Sequence, residues 1–417
     1  MEKRDVQAIV SILNGRVVTE DGVHEGWSVE LAGIPGRMRI TTVGPGAGRR
    51  VGPTALGPLA EVIDAAGGYV LPGFVDIHVH GGGGSDFMDA TPEDWLRIAA
   101  AHAQHGTTTM LATTMSAPEE ALLAAARTAK EVRRRQGTQG TSDAAAAGAA
   151  WIAGLHLEGP FLNEKAKGAQ NGAFLREPSL AEVERLHRES GEMVRLVTVA
   201  PELPGALDLI RGLRLAGIRT ACGHTRATYG EVVAAVGAGL SLATHTFNAM
   251  GQLHHREPGV VGAALELDAI TAQAIADGIH VHPGVLRILV RAKTPSRLAL
   301  ITDAMRAMGL DPGEYELGGL TVTVRPDGSA RLADGTLAGS MLSMDSAVHN
   351  AVRLLGVTLP QVSAMASRTP AEAVGLGQTK GRLAVGFDGD IVIMDAESLE
   401  VTRTISGGRT IHNSQHQ

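Results

Sequence analysis

Eight short apolar runs, rich in β-branched residues, alternate along this chain with stretches of helical spacing. The runs fall at 70–80, 107–113, 151–158, 194–200, 219–224, 242–245, 272–276 and 298–303. Their length and composition suit buried strands. The helical stretches lie between most of them, at 92–105, 117–135, 180–190, 206–216, 227–236 and 283–290. Strands separated by helices need crossover connections, and crossovers build a parallel sheet. Eight parallel strands can close into a (β/α)8 barrel. An open doubly wound sheet is the alternative. No G-x-G-x-x-G follows the first run, which weakens its dinucleotide-binding form.

Toward both ends the pattern changes. Residues 8–13, 16–19, 27–31 and 38–43, then 390–395, 400–406 and 409–412, read as short strands punctuated by Gly and Pro. A small β-rich domain made of 1–69 and 376–417 is predicted, with the barrel spanning 70–375. Residues 314–337 read as a hairpin inserted after the eighth strand, around a DGS turn. Residues 137–150, GTQGTSDAAAAGAA, are low in complexity and predict an exposed insertion. No internal repeat is visible.

Composition narrows the function. Hydrophobic residues make up 44% and charged residues 19%, as in a packed soluble protein. The net charge of -7 offers no basic field for nucleic acid or an anionic membrane, and aromatics at 3% offer no base-stacking surface. No stretch of roughly 18 strongly apolar residues exists, so no membrane span is expected. Cys222 stands alone, so no intramolecular disulfide can form. The start has no signal-peptide pattern, and a cytoplasmic location is predicted. An anionic substrate would need a local cationic pocket.

The first run ends in FVDIHVHGGGG. Side chains alternate along a strand, so Asp76, His78 and His80 share a face. Two such imidazoles can share a metal ion or can be hydrogen-bonded core histidines. The glycines after them would leave the strand end open to close approach. Other runs also end in polar residues: Glu158 on the third, His224 on the fifth, His245 on the sixth and Asp303 on the eighth, with His280 just beyond the seventh. Barrel chemistry sits at the C-terminal ends of strands. A single such residue could be a helix cap or a satisfied core histidine. Together they form a ring of His and carboxylate ligands suited to a catalytic Zn²⁺ or a similar first-row ion. An Asp beside it could move a water's proton to a leaving amine.

At these residues the chain resembles the amidohydrolase superfamily and, within it, the deacetylases of N-acetylglucosamine 6-phosphate. The resemblance rests on PGFVDIHVHGGGG (72–84), HLEGPFLN (156–163), GHTRAT (223–228), THTFNAMGQLHHREPG (244–259), ADGIHV (276–281), ITDAM (301–305) and LAGS (337–340). It implies a distorted (β/α)8 TIM barrel with a small β-sandwich domain formed by both termini. It implies that Glu158, His224 and His245 bind the main metal, Zn²⁺ or Fe²⁺. It also implies that His78 and His80 match a second metal pair, and that Asp303 is general base, then general acid. The substrate would be a phosphorylated amino sugar. Arg256 would meet its phosphate, since a guanidinium fork matches that geometry, joined by Asn248, the Ala249 N–H and His280. A neighbouring subunit is one source of His280, which implies a homodimer. Gln170 stands where some relatives carry a histidine near the substrate carbonyl. It can donate a hydrogen bond there but carries no charge. Rival readings are another amidohydrolase acting on a different N-acyl or cyclic amide, or a non-catalytic metal-bound scaffold. The fourth run, VRLVTVAPE, lacks the lysine that many cyclic-amide hydrolases carboxylate.

Overall fold

In the computed structural model, which describes residues 8–46, 60–137 and 148–414, the first apolar run serves two sheets. Tyr69–Pro72 pairs with Arg16–Val18 and Ile391–Met394, while Phe74–Val79 opens the barrel. The break falls at Gly73, whose N–H donates to Asp390 O at 2.9 Å. A Cβ there would stand 2.3 Å from Thr108 Oγ1, so only glycine lets the chain pass.

The barrel strands are β1 (Phe74–Val79), β2 (Thr107–Thr114), β3 (Trp151–Glu158), β4 (Val194–Val199), β5 (Arg219–Cys222), β6 (Leu242–Ala243), β7 (Thr271–Ile275) and β8 (Leu298–Ile301), in that order around one sheet. Each is parallel to the next. Helices cover the outer face and packed side chains fill the inside, so whole strands are buried and read as continuous runs. Between β8 and β1 the closure is carried by hydrogen bonds at the strand ends. Asp303 N–H donates to His78 O, and His80 N–H to Ala304 O, both at 2.9 Å. The barrel is thus nearly closed and distorted at the edge that carries the site.

The six predicted helices are present as Pro92–Ala103, Glu119–Gln136, Leu180–Glu189, Ala206–Leu215, Tyr229–Ala238 and Pro283–Lys293. Thr91 caps the first, and Thr228 with Glu231 forms a capping box on the fifth. Another helix, Gly259–Glu266, follows β6 unpredicted. Val260, Val261, Ala263 and Ala264 are all buried there, so the segment has no polar face to reveal a helical period.

A four-stranded sheet (Arg39–Pro45, Trp27–Gly33, Ala8–Leu13, Ala60–Asp64) and a six-stranded one (Arg409–Asn413, Val401–Ser406, Ile391–Met394, Tyr69–Pro72, Arg16–Val18, Val23–Glu25) are built from both ends of the chain. Val10, Ile12, Leu31 and Ile40 of the first join Val70, Ile391, Ile393 and Ile405 of the second in one core. Each buried aliphatic contributes about 1.5–3 kcal/mol relative to exposure. The inserted hairpin is a three-stranded antiparallel sheet, Gly313–Leu317, Leu320–Val324 and Ala330–Arg331. Most of the low-complexity stretch, 138–147, lies outside the described residues. Among the described residues no helix is long and apolar enough to cross a membrane.

Candidate metal centre and active site

Three predicted strands stop short of the residues that matter. The runs at 219–224, 242–245 and 298–303 end as strands at Cys222, Ala243 and Ile301. His224, His245 and Asp303 then take φ of 46°, 26° and 51°. Left-handed backbone at a non-glycine residue costs about 1–3 kcal/mol, held by its surroundings. Here it ends the ladder and accompanies the inward placement of three side chains. The four glycines have another role than the one predicted. Gly81–Gly82 pairs with Ser85–Asp86 in a tight turn, and a Cβ on Gly81 would stand 2.4 Å from Ser85 O. None of the four lines the central cavity.

That cavity measures about 380 Å³ and sits over the C-terminal strand ends, with His80, Glu158, His224, His245 and Asp303 in its wall. Ligand atoms of His78, His80 and Glu158 lie within 4.8 Å of one another, as do those of Glu158, His224 and His245. Glu158 Oε1 is 3.0 Å from His245 Nε2, 3.2 Å from His224 Nε2 and 3.3 Å from His78 Nε2; Oε2 is 3.2 Å from His80 Nε2. Asp303 Oδ1 lies 3.4 Å and 3.3 Å from the Nε2 atoms of His78 and His80.

The ring orientations follow from what lies behind them. His78 Nδ1 meets Gln273 Oε1 at 3.2 Å, His80 Nδ1 meets Thr113 O at 3.3 Å, and His224 Nδ1 meets Ala166 O at 3.1 Å. A carbonyl oxygen only accepts, so Nδ1 carries the proton and Nε2 turns a lone pair inward. Paired Nε2 atoms stand 3.0 Å apart in His224 and His245, and 3.3 Å apart in His78 and His80. In the His78–His80 pair, whose Nδ1 protons are both committed, two lone pairs face each other at that range, and a cation between them relieves the repulsion. The donor set of imidazoles and one shared carboxylate therefore fits a divalent metal.

With no ion between them, a proton on His80 takes the cation's place beside the carboxylates. Burial opposes protonation of His80, but hydrogen bonds with Asp303 and Glu158 outweigh it and hold the imidazole well above its ordinary value. Burial alone would raise Glu158; the neighbouring imidazoles, His78 and His224 foremost, bring it well below the carboxylate range. Asp303 is held at about 2, since His78 and His80 outweigh its burial. Asp76, on the same face one step deeper, is pushed to about 6 by burial, against hydrogen bonds from Thr302 and the His78 N–H. His156 packs edge-on to His78 at 4.7 Å and is a core histidine, its pKa lowered well below the usual value by burial.

Other predicted residues divide. Gln170, Asn248, Ala249 and His280 line the cavity. Gln170 spans two protein groups, Ser116 N–H and Glu158. His280 lines the cavity of its own chain, so no neighbour is needed to deliver it. Its imidazole is raised: burial opposes the charge, but the Asp277 hydrogen bond at 2.6 Å outweighs it. Arg256 is not brought to the cavity. It is exposed, and its Nη1–H donates to His255 Nε2 at 2.8 Å, while Glu257 takes the N–H groups of Tyr229 and Gly259. Lys165 and Arg226 supply lysine and arginine charge to the wall instead, and Leu317 and Leu337 from the inserted segment help line it. Sequence reasoning missed these, and missed Gln273. A glutamine in the middle of the apolar strand TAQAI is the signal that could have found the last.

The model of the amidohydrolase family matches residues 69–411. An N-acetylglucosamine-6-phosphate deacetylase of Lysinibacillus sphaericus is 38% identical over 349 residues, covering 84% of this chain and 87% of that one. An N-acetylgalactosamine-6-phosphate deacetylase of Escherichia coli O157:H7 is 38% identical, covering 78% and 84%. A mutant N-acetyl-D-glucosamine-6-phosphate deacetylase of Mycobacterium smegmatis, solved in complex with N-acetyl-D-glucosamine-6-phosphate, superposes with a TM-score of 0.83 at 34% identity. That match covers 97% of this chain and 99% of that one.

Proposed function

The chain belongs to the amidohydrolase family and, within it, to the N-acetylglucosamine-6-phosphate deacetylases, and from that premise we propose a division of labour among its residues. The reaction is hydrolysis of the acetamide of N-acetyl-D-glucosamine 6-phosphate to glucosamine 6-phosphate and acetate. The observation that carries the roles is the convergence of His78, His80, Glu158, His224, His245 and Asp303 on one point.

Glu158, His224 and His245 would hold one divalent ion, and His78 and His80 a second that shares Glu158. When bound, Zn²⁺ or Fe²⁺, both suited to this donor set, acidifies water and polarises the acetyl carbonyl. Asp303, ionised at neutral pH, takes the proton of the attacking water. It returns that proton to the amine nitrogen as the C–N bond breaks. Gln170 stands on the same wall. Asn248 and the Ala249 N–H would hold the sugar, and the raised imidazole of His280 its phosphate. Because Arg256 stays outside its own cavity, we assign it to the phosphate of a second copy, in a homodimer. Of the described residues, those up to Pro72 and from 376 on would form one unit and those of 73–375 the catalytic barrel, which moves the predicted boundary from 69/70 to the break at Gly73. A cytoplasmic location fits the lone, buried Cys222.

The test is acetate release from N-acetylglucosamine 6-phosphate, its galactosamine epimer and the unphosphorylated sugar, with Zn²⁺ or Fe²⁺ added. Release confined to phosphorylated sugars supports the phosphate assignment. The relative named for N-acetylgalactosamine 6-phosphate makes the epimer a second reading. Equal release with and without phosphate refutes the phosphate site.

A further inference from the structure

We infer that Gln170 is a positioning residue that sets the orientation of Glu158, the carboxylate common to both histidine pairs. It stands in the loop after β3 and is 1% exposed. Its Nε2–H donates to Glu158 Oε2 at 2.7 Å, and its Oε1 accepts from Ser116 N–H at 2.8 Å. Ser116 lies just beyond β2, so the side chain ties the loops after two neighbouring strands to the carboxylate between them.

The amide can take only one orientation. Turned over, its oxygen would face Glu158 Oε2 and its NH₂ would face the Ser116 N–H, replacing two hydrogen bonds by two repulsions. Held this way, Glu158 keeps Oε2 beside His80, while Oε1 faces His78, His224 and His245. A neutral donor does this without placing a further positive charge where a cation must bind. One amide N–H and one lone pair of the amide oxygen are therefore committed to protein. The residue acts on the chemistry through Glu158, as outer partners of metal ligands do.

The inference rests on the ligand assignment above, and its test reads metal binding separately from turnover. Apo protein is titrated with Zn²⁺ against a competing chelator, and kcat and KM are measured over a range of free metal. Gln170→Leu keeps the volume and loses both hydrogen bonds. It should bind Zn²⁺ roughly 10- to 100-fold more weakly, with kcat recovering as free metal rises and KM little changed. Gln170→His can still offer one donor and one acceptor nitrogen and should restore most of the affinity. Should Gln170→Leu not fold, Gln170→Asn makes the same comparison, one methylene too short to span both partners. Wild-type Zn²⁺ affinity in these variants, with a loss of turnover that metal does not rescue, would overturn the inference and place the amide on the substrate. A wild-type protein that binds Zn²⁺ but releases no acetate would sink the functional reading and leave the metal titration standing.

Discussion

Replacing Asp277 by asparagine tests whether His280 receives the phosphate as a cation. Asp277 Oδ2 lies 2.6 Å from His280 Nδ1, with the two side chains 10% and 6% exposed. Asp277 Oδ1 accepts the N–H groups of Ile279 and His280 at 2.8 and 2.9 Å. Asparagine keeps that acceptor, so the turn should survive while the charge is lost. Without it, burial dominates and the imidazole falls back from its raised value. A hydrogen bond from a charged group contributes about 1.5–3 kcal/mol, so KM for the phosphorylated sugar should rise roughly 10- to 150-fold. The sign follows from protonation. His280 binds phosphate when charged, so KM is lowest below its pKa and climbs as pH passes through it. In the variant that climb begins at lower pH. Steady-state acetate release from about pH 7 to 9, above the phosphate's second pKa of roughly 6, checks this, with the unphosphorylated sugar as control. A KM profile that superposes on the wild type, or an equal change with the unphosphorylated sugar, would refute the reasoning.

Asp303→Asn should keep fold, metal content and KM while kcat falls roughly 10²- to 10⁴-fold, the usual worth of a general acid–base group. Metal analysis beside turnover checks it. Dialysis against a chelator should abolish activity and lower the melting temperature. A site at about 1,000 times its Kd contributes roughly 4 kcal/mol, and added Zn²⁺ or Fe²⁺ should restore both. Lys380→Met should cost about 3–5 kcal/mol of stability, seen in denaturant melts. Its Nζ lies 3.1 Å from Asp388 Oδ2 and bonds Asp390, and both carboxylates are buried. The variant would leave buried Asp390 without its cation and Asp388 with Arg39 as its remaining cation at 3.1 Å.

The amino-acid sequence by itself determined the architecture and the ligand types. Eight apolar runs with helices between them are local signals, because period and burial are written in neighbouring residues. The alternation that puts His78 and His80 on one face is local too, as is a carboxylate or histidine beyond each of several runs. Tertiary structure decided the rest. The run at 70–80 divides at Gly73 because Thr108, far along the chain, leaves no room for a side chain. His224, His245 and Asp303 lie past their strands, on left-handed backbone that no local pattern announces. Gln170 faces Glu158 because Ser116, more than fifty residues earlier, takes its other end. Arg256 has the right chemistry for phosphate and points elsewhere, while Lys165 and Arg226 line the wall from loops that meet only once the barrel closes. Residue type and period are properties of the chain. Which side chains share a cavity depends on how distant loops come together at the strand ends, and that is set by the packing of the whole.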